Sequence, residues 1–128
     1  MAITPNREQF IALASAPDER PVVMINLLKF KAPAETGVAS DGAASYNQYG
    51  DMVRPMVEKQ GGKLLWMGRV DQVLIGDADA DAWDAAALVQ YPSRKAFIEM
   101  VTSKDYTDAH HHREEGLERT VLLACTER

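Results

Sequence analysis

Residues 21–30 read PVVMINLLKF. Apart from Asn26 and Lys29 the run is apolar or Pro. A strand with one wet face alternates apolar and polar residues, so an unbroken run predicts a strand that wants cover on both faces. Asn26 raises a second question. It is either a buried amide satisfied by neighbouring backbone that fixes register, because buried polar groups must be paired, or a pocket residue that points a donor and an acceptor at a ligand.

The segments on either side extend the pattern. Upstream, Thr4 before Pro5 predicts a capped helix start, with Phe10, Leu13 and Ala14 as its apolar stripe. Pro17 and Pro21 end it. Downstream, residues 31–44 (KAPAETGVASDGAA) form a long loop without periodicity, the length expected of a mobile segment or a lid. Ser45 with Gln48 predicts a capping box. Tyr46, Tyr49, Val53, Met56 and Val57 then share one helical face, Pro55 interrupts the middle turn, and Gly61-Gly62 closes the helix. KLLWMGRVDQVLIG is a second strand region with Gly68 as its expected bulge. WDAAALVQY is a third strand. Pro92 and Ser93 open a helix with Phe97, Met100 and Val101 inward, a further helical segment runs to Gly116, and LERTVLLAC is the last strand.

The order predicts an α+β chain: a ferredoxin-like β-α-β-β-α-β antiparallel sheet preceded by a helical extension over residues 1–20, all in a single domain of 128 residues. VVMINLL, AAALV and TVLLAC are all continuous apolar runs. Two main helices cover only one sheet face. A second copy, packed sheet to sheet, is the simplest cover for the other, which predicts a homodimer. The competing arrangement has the N-terminal helix and the 31–44 loop cover that face in a monomer.

Composition excludes several classes. A net charge of −5 with no basic stripe argues against nucleic acid as a partner. A lone cysteine, Cys125, forms no internal disulfide, so no oxidising compartment is required, and near the end of an apolar strand it reads as a small hydrophobe. The N-terminus lacks the basic start and long apolar run of a secretory signal. No apolar stretch approaches the roughly 20 residues that span a bilayer. The expected location is cytoplasmic, with no membrane partner.

The chemistry-bearing residues concentrate in DYTDAHHHREEG, residues 105–116. Three consecutive histidines splay around a helix and do not share a face as metal ligands must, so no metal is expected. Tyr106, Ala109 and Arg113 lie on one stripe, flanked by His110 and His112. An inward Arg must be paired, with Glu118 or Asp84 as candidates, or must face a wet, anion-binding cavity. DADAD, residues 77–81, starts a calcium-loop pattern, but Ala82 stands where Gly is needed and Leu88 where Glu is needed, so it reads as an acidic turn. There is no G-x-S-x-G, no dinucleotide fingerprint and no phosphate loop. Trp66, Trp83, Tyr46 and Tyr49 are each able to stack on a planar ligand or simply to fill the core.

INLLKF, GGKLLWMGRV, VLIGDADADAWDAAALVQYPSRKAFIEMVTSKDY and HREEGLERTVLLA together resemble the domain of unknown function 1330 family, over roughly Val22 to Ala124. The resemblance implies the dimeric α/β-barrel arrangement, with protomer sheets packed face to face. It favours His112 over its neighbours, because His112-Arg113 matches a recurring pair, and it singles out Trp83-Asp84. Similar folds include cofactor-free monooxygenases, muconolactone isomerases and haem-degrading enzymes, but a fold does not transfer a reaction.

The resulting expectation is a small-molecule-binding homodimer that acts without a cofactor, like a monooxygenase or isomerase, on a small aromatic or anionic substrate. His112 and Arg113 are its catalytic candidates. Asn26, Tyr49, Trp66, Trp83 and Tyr106 are its ligand-binding candidates. The alternatives are a non-catalytic dimeric module for a ligand or partner, and a haem-binding protein.

Overall fold

The computed structural model describes residues 4–31 and 42–128. Helix α1 (Arg7–Ser15) leads into β1 (Val22–Phe30). Next come α2 (Gly42–Lys59), β2 (Lys63–Arg69) and β3 (Ala85–Tyr91). Helices α3 (Arg94–Val101) and α4 (Lys104–Gly116) precede β4 (Leu117–Cys125). The four strands pair antiparallel in the order β2-β3-β1-β4, the ferredoxin-like sheet.

Local chemistry explains most boundaries. The first helix starts two residues later than Thr4-Pro5 predicts. Asn6 is the cap: its side chain accepts the Gln9 N–H at 2.8 Å, and the Gln9 side chain accepts the Asn6 N–H at 3.1 Å. Gly42, Ala43 and Ala44 are already helical, so Ser45 is a buried residue inside α2 and not its cap. The rest of the expected 31–44 loop, beyond Lys31, lies outside the described residues. Helix α2 runs through Pro55 as one element. It ends as expected at Gly61, whose φ of 80° suits glycine. Gly62 N–H reaches back to the Val57 carbonyl at 2.8 Å, and Gly61 N–H to that of Glu58 at 3.0 Å. Ser93 and Ser103 cap α3 and α4.

Burial alternates where the sequence does not. On β1, Val22, Met24 and Leu28 are buried beneath the helices, as are Ala85, Ala87 and Tyr91 on β3. The opposite face carries Val23, Ile25 and Leu27, with Leu88 and Leu123 flanking Ile25 in register. No helix covers that face among the described residues. Helix α1, expected as a possible cover, packs beside α3 on the helix side. The unbroken run in PVVMINLLKF is therefore half core and half a partly exposed apolar face.

Helices α2 and α4 meet backbone to backbone. A Cβ on Gly116 would stand 2.6 Å from the Gly42 carbonyl oxygen and 2.9 Å from the Tyr46 nitrogen. The Gly116 carbonyl accepts the Lys31 N–H at 2.9 Å, and the Lys31 carbonyl accepts the Gly42 N–H at 3.0 Å. This clasp joins the end of β1, the start of α2 and the end of α4. Gly50, by contrast, lies mid-helix, and a Cβ added there would meet nothing within 4 Å. Two alanine substitutions should thus act with opposite signs in urea unfolding. Gly116→Ala should lower stability by about 1–3 kcal/mol through overpacking. Gly50→Ala should raise it by about 0.5–1 kcal/mol through helix propensity.

Candidate functional site

The buried core divides into two clusters. One gathers Val22, Met24, Val53, Val57, Tyr91, Phe97, Met100 and Ala109. The other gathers Leu28, Tyr46, Ala85 and Leu117. On β1 the division falls between Met24 and Leu28, at Asn26, which faces the helices with them. Asn26 opposes Ala87 on one side and Leu122 on the other, and Ala87 opposes Met67. An amide and a methyl thus replace two large apolar side chains at the centre of the sheet. The space above them opens into a cleft of about 1580 Å³ between the sheet and the helices. The Asn26 side-chain N–H donates only a long bond, 3.4 Å, to the Met24 carbonyl.

The helices supply the polar groups over this gap. Tyr46 and Tyr49 come from α2, and Tyr106, His110 and Arg113 from α4; all five line the cleft. The i, i+3 and i, i+4 steps of the two helices put them there. The Tyr49 and Tyr106 hydroxyls lie 2.7 Å apart with their rings edge to face. One hydroxyl donates to the other, which leaves one O–H free to donate elsewhere. Arg113 is only 6% exposed. Asp84, one candidate partner for it, is engaged elsewhere: its carboxylate accepts the Phe30 N–H at 2.8 Å and faces the Lys29 ammonium at 3.5 Å.

Burial sets the ionisation of the tyrosines. It pushes the Tyr49 hydroxyl well above its usual range, reinforced by Tyr106 and Tyr46 and opposed by the Arg113 charge. Burial also raises Tyr46, again against Arg113. It raises Tyr91 further along the same layer. These phenols are neutral hydrogen-bonding groups at any physiological pH.

Of the residues singled out from sequence, Asn26, Tyr49, Tyr106 and Arg113 come together in the cleft. Trp66, Trp83 and His112 do not line it. Trp66 is turned away by a bulge. Leu64 opposes Val89 but Trp66 opposes Leu88, so Leu65 is the extra residue. Regular pairing would put Trp66 opposite Ala87, facing the cleft; the bulge puts Met67 there and leaves Trp66 54% exposed on the open face. The bulge expected at Gly68 is thus three residues early, and Gly68 instead makes room for the Trp66 ring. Trp83 lies under the Arg119 guanidinium, 4.4 Å from ring centre to carbon, and Arg119 pairs with Lys29 on the open face. His112 stacks on His111 with centroids 3.9 Å apart, and its Nδ1 is buried without a hydrogen-bond partner among the described residues.

Two histidines that the sequence reading did not favour, His110 and His111, line the cleft, and of these His110 is paired with a carboxylate. Its Nδ1 meets the Glu114 carboxylate at 2.8 Å, and its ring lies 5.8 Å from that of Tyr106. The signal was present: Glu114 stands four residues on, one turn along the same helix face. Occupation of Nδ1 leaves Nε2 as the nitrogen for other chemistry. Among the described residues no group of three or more His, Cys, Asp or Glu side chains is placed to hold a metal ion, and no helix is long and apolar enough to cross a membrane.

The raised phenols carry a pH signature. Below about pH 10 both folded and unfolded chains keep them protonated. Above it the unfolded chain loses these protons first, so stability present below pH 10 is lost as pH rises towards the folded values. Urea unfolding across that range should show stability falling by on the order of 1.4 kcal/mol per pH unit for each of Tyr46, Tyr49 and Tyr91. Their phenolate absorbance should appear together with unfolding, and Tyr49→Phe should reduce the slope.

A family model described as Domain of unknown function (DUF1330) matches residues 36–125. Among solved structures, a protein of unknown function from Rhodopseudomonas palustris is 32% identical, with a TM-score of 0.88 over 98% of this chain and 96% of that one. A dimeric protein of unknown function with a ferredoxin-like fold from Bacteroides fragilis is 14% identical, with a TM-score of 0.54 over 82% and 94% of the two chains. SnoaB, a cofactor-independent oxygenase from Streptomyces nogalater, is also 14% identical, with a TM-score of 0.52 over 85% and 94%. None of the curated proteins compared matches the chain.

Proposed function

The chain belongs to the DUF1330 family, and on that premise we propose that it is a homodimer whose clefts bind a small molecule with an apolar or aromatic body and an anionic group. We further propose that it moves a proton on that molecule without a cofactor. The observation that carries this reading is the convergence of Arg113, the Tyr49–Tyr106 pair and the His110–Glu114 pair on one apolar-walled cleft, at the gap that Asn26 makes in the core.

Each group has a role in that reading. The Arg113 guanidinium neutralises the anionic group or a developing oxyanion, with strength added by its burial. The free O–H of the tyrosine pair donates to the same oxygen. His110 takes the proton at Nε2 while Glu114 holds Nδ1–H and stabilises the imidazolium. Asn26 orients the ligand from the sheet side. The general base moves from His112 to His110 because His110 lines the cleft. The fold is compatible with such chemistry: SnoaB works as an oxygenase without a cofactor.

The dimer rests on the open sheet face, where Trp66 and Leu123 are 54% and 46% exposed beside Ile25 and Leu88. A neighbour of the same fold is dimeric. Sedimentation equilibrium should give a dimer for the wild type and a folded monomer for Trp66→Glu combined with Leu123→Glu.

A thermal-shift screen with benzoate, phenylacetate and phenylpyruvate tests the site. A ligand at a hundred times its Kd should stabilise the folded state by about 2.7 kcal/mol. Arg113→Gln should abolish the shift. His110→Gln should leave binding largely intact but abolish enzyme-dependent deuterium exchange at the acidic carbon of phenylpyruvate. Binding without any exchange in the wild type would favour a non-catalytic module; no binding at all would overturn the site.

A further inference from the structure

Resting on the reading of the cleft as a binding site, we propose that its ligand is an elongated anionic amphiphile, with the head at Arg113 and an apolar body running beneath α1. A medium-chain carboxylate is the simplest member of that class.

Three features of the cleft point to it. The first is size. A pocket for a drug-sized ligand occupies roughly 300–1000 Å³, and this cleft measures about 1580 Å³. A single ring beside Arg113 leaves much of it open. The second is the distribution of polarity. Buried Arg113 and the tyrosine hydroxyls sit over the Asn26 gap, whereas Val53, Val57, Phe97 and Met100 make the buried wall towards α3; the further charges on the lining, Arg7, Asp51, Arg54, Glu58 and Lys63 among them, are exposed. A ligand that matches both regions has one ionised end and one extended apolar end.

The third feature is α1 itself. It has no buried residue, yet Phe10 and Leu13 are half-buried and line the cleft. A surface helix normally buries its apolar stripe in the core. Here Leu13 packs against the core cluster, and both side chains keep part of their surface over the cleft, where an apolar occupant would cover it. Charge complementarity selects the other end. A guanidinium presents five N–H donors, so Arg113 can receive a carboxylate in addition to its contacts within the protein.

Calorimetric titration of the full chain with butanoate, hexanoate, octanoate and decanoate, below their micelle concentrations, tests the proposal. Kd should tighten roughly fourfold per methylene until the cleft is filled. Octanol should bind about tenfold more weakly than octanoate. Phe10→Ser combined with Leu13→Ser should weaken octanoate binding by about tenfold or more, while leaving that of butanoate unchanged. Neither side chain is fully buried, though Leu13 packs against the core cluster, so circular dichroism and the unchanged butanoate titration verify that the variant folds. Arg113→Gln should remove the preference of acid over alcohol; if that variant unfolds, the acid–alcohol comparison in the wild type carries the same test. Benzoate binding with a flat chain-length series would overturn the amphiphile and leave the site reading intact. Equal affinity for octanol and octanoate would also overturn it. Failure of every acid to bind would overturn both.

Discussion

The backbone clasp among Lys31, Gly42 and Gly116 is the contact on which the rest of the arrangement depends. Two hydrogen bonds and the absence of two Cβ atoms bring the start of α2 and the end of α4 closer than side chains would allow. From that fixed point the helices carry Tyr46 and Tyr49 on one side and Tyr106, His110 and Arg113 on the other. The 2.7 Å contact between the Tyr49 and Tyr106 hydroxyls requires this spacing. Since Lys31 follows β1 directly, the same clasp sets the height of the helices above Asn26.

The cleft persists because the sheet beneath it is underfilled. Met24 and Leu28 each anchor a cluster, and Asn26 between them anchors none. A leucine at position 26, beside Ala87 and Leu122, would join the two clusters into one. The amide also answers the question that its sequence context raises. With one long bond to its own strand, Asn26 retains donor and acceptor capacity on the wet side of the layer. Arg113, at 6% exposure, lines the same cleft, where its charge opposes the rise that burial gives Tyr46 and Tyr49.

Much of the architecture was legible from periodicity alone. The continuous apolar runs named the strands, and the Tyr106–Arg113 stripe named the inward face of α4. Tyr49, Tyr106 and Arg113 could be singled out because the helix period fixes where such residues point, and Asn26 because it is an amide in an apolar run, although the sequence left its sheet face open. The failures have a common cause, which is local geometry that periodicity does not encode. Asn6 outcompeted Thr4 as a cap through its reciprocal bond with Gln9. The His110–Glu114 contact was not anticipated because it depends on side-chain pairing and not on position on the wheel alone. The DUF1330 match begins at residue 36, so it contains neither Asn26 nor α1; both had to be read from their own chemistry.

The extra residue at Leu65 couples two surfaces that otherwise share nothing. Upstream of it β2 keeps one facing, and downstream the facing is inverted, so the bulge decides that Trp66 looks outward and Met67 inward. Pairing of the same sequence without the bulge would set Trp66 opposite Ala87 and Met67 opposite Ala86, which brings an indole into the cleft and sends a thioether to the open face. The room in the cleft and the apolar surface of the open face would change in the same step. The register of one edge strand thus sets at once which side chain the cleft receives and which the open face presents.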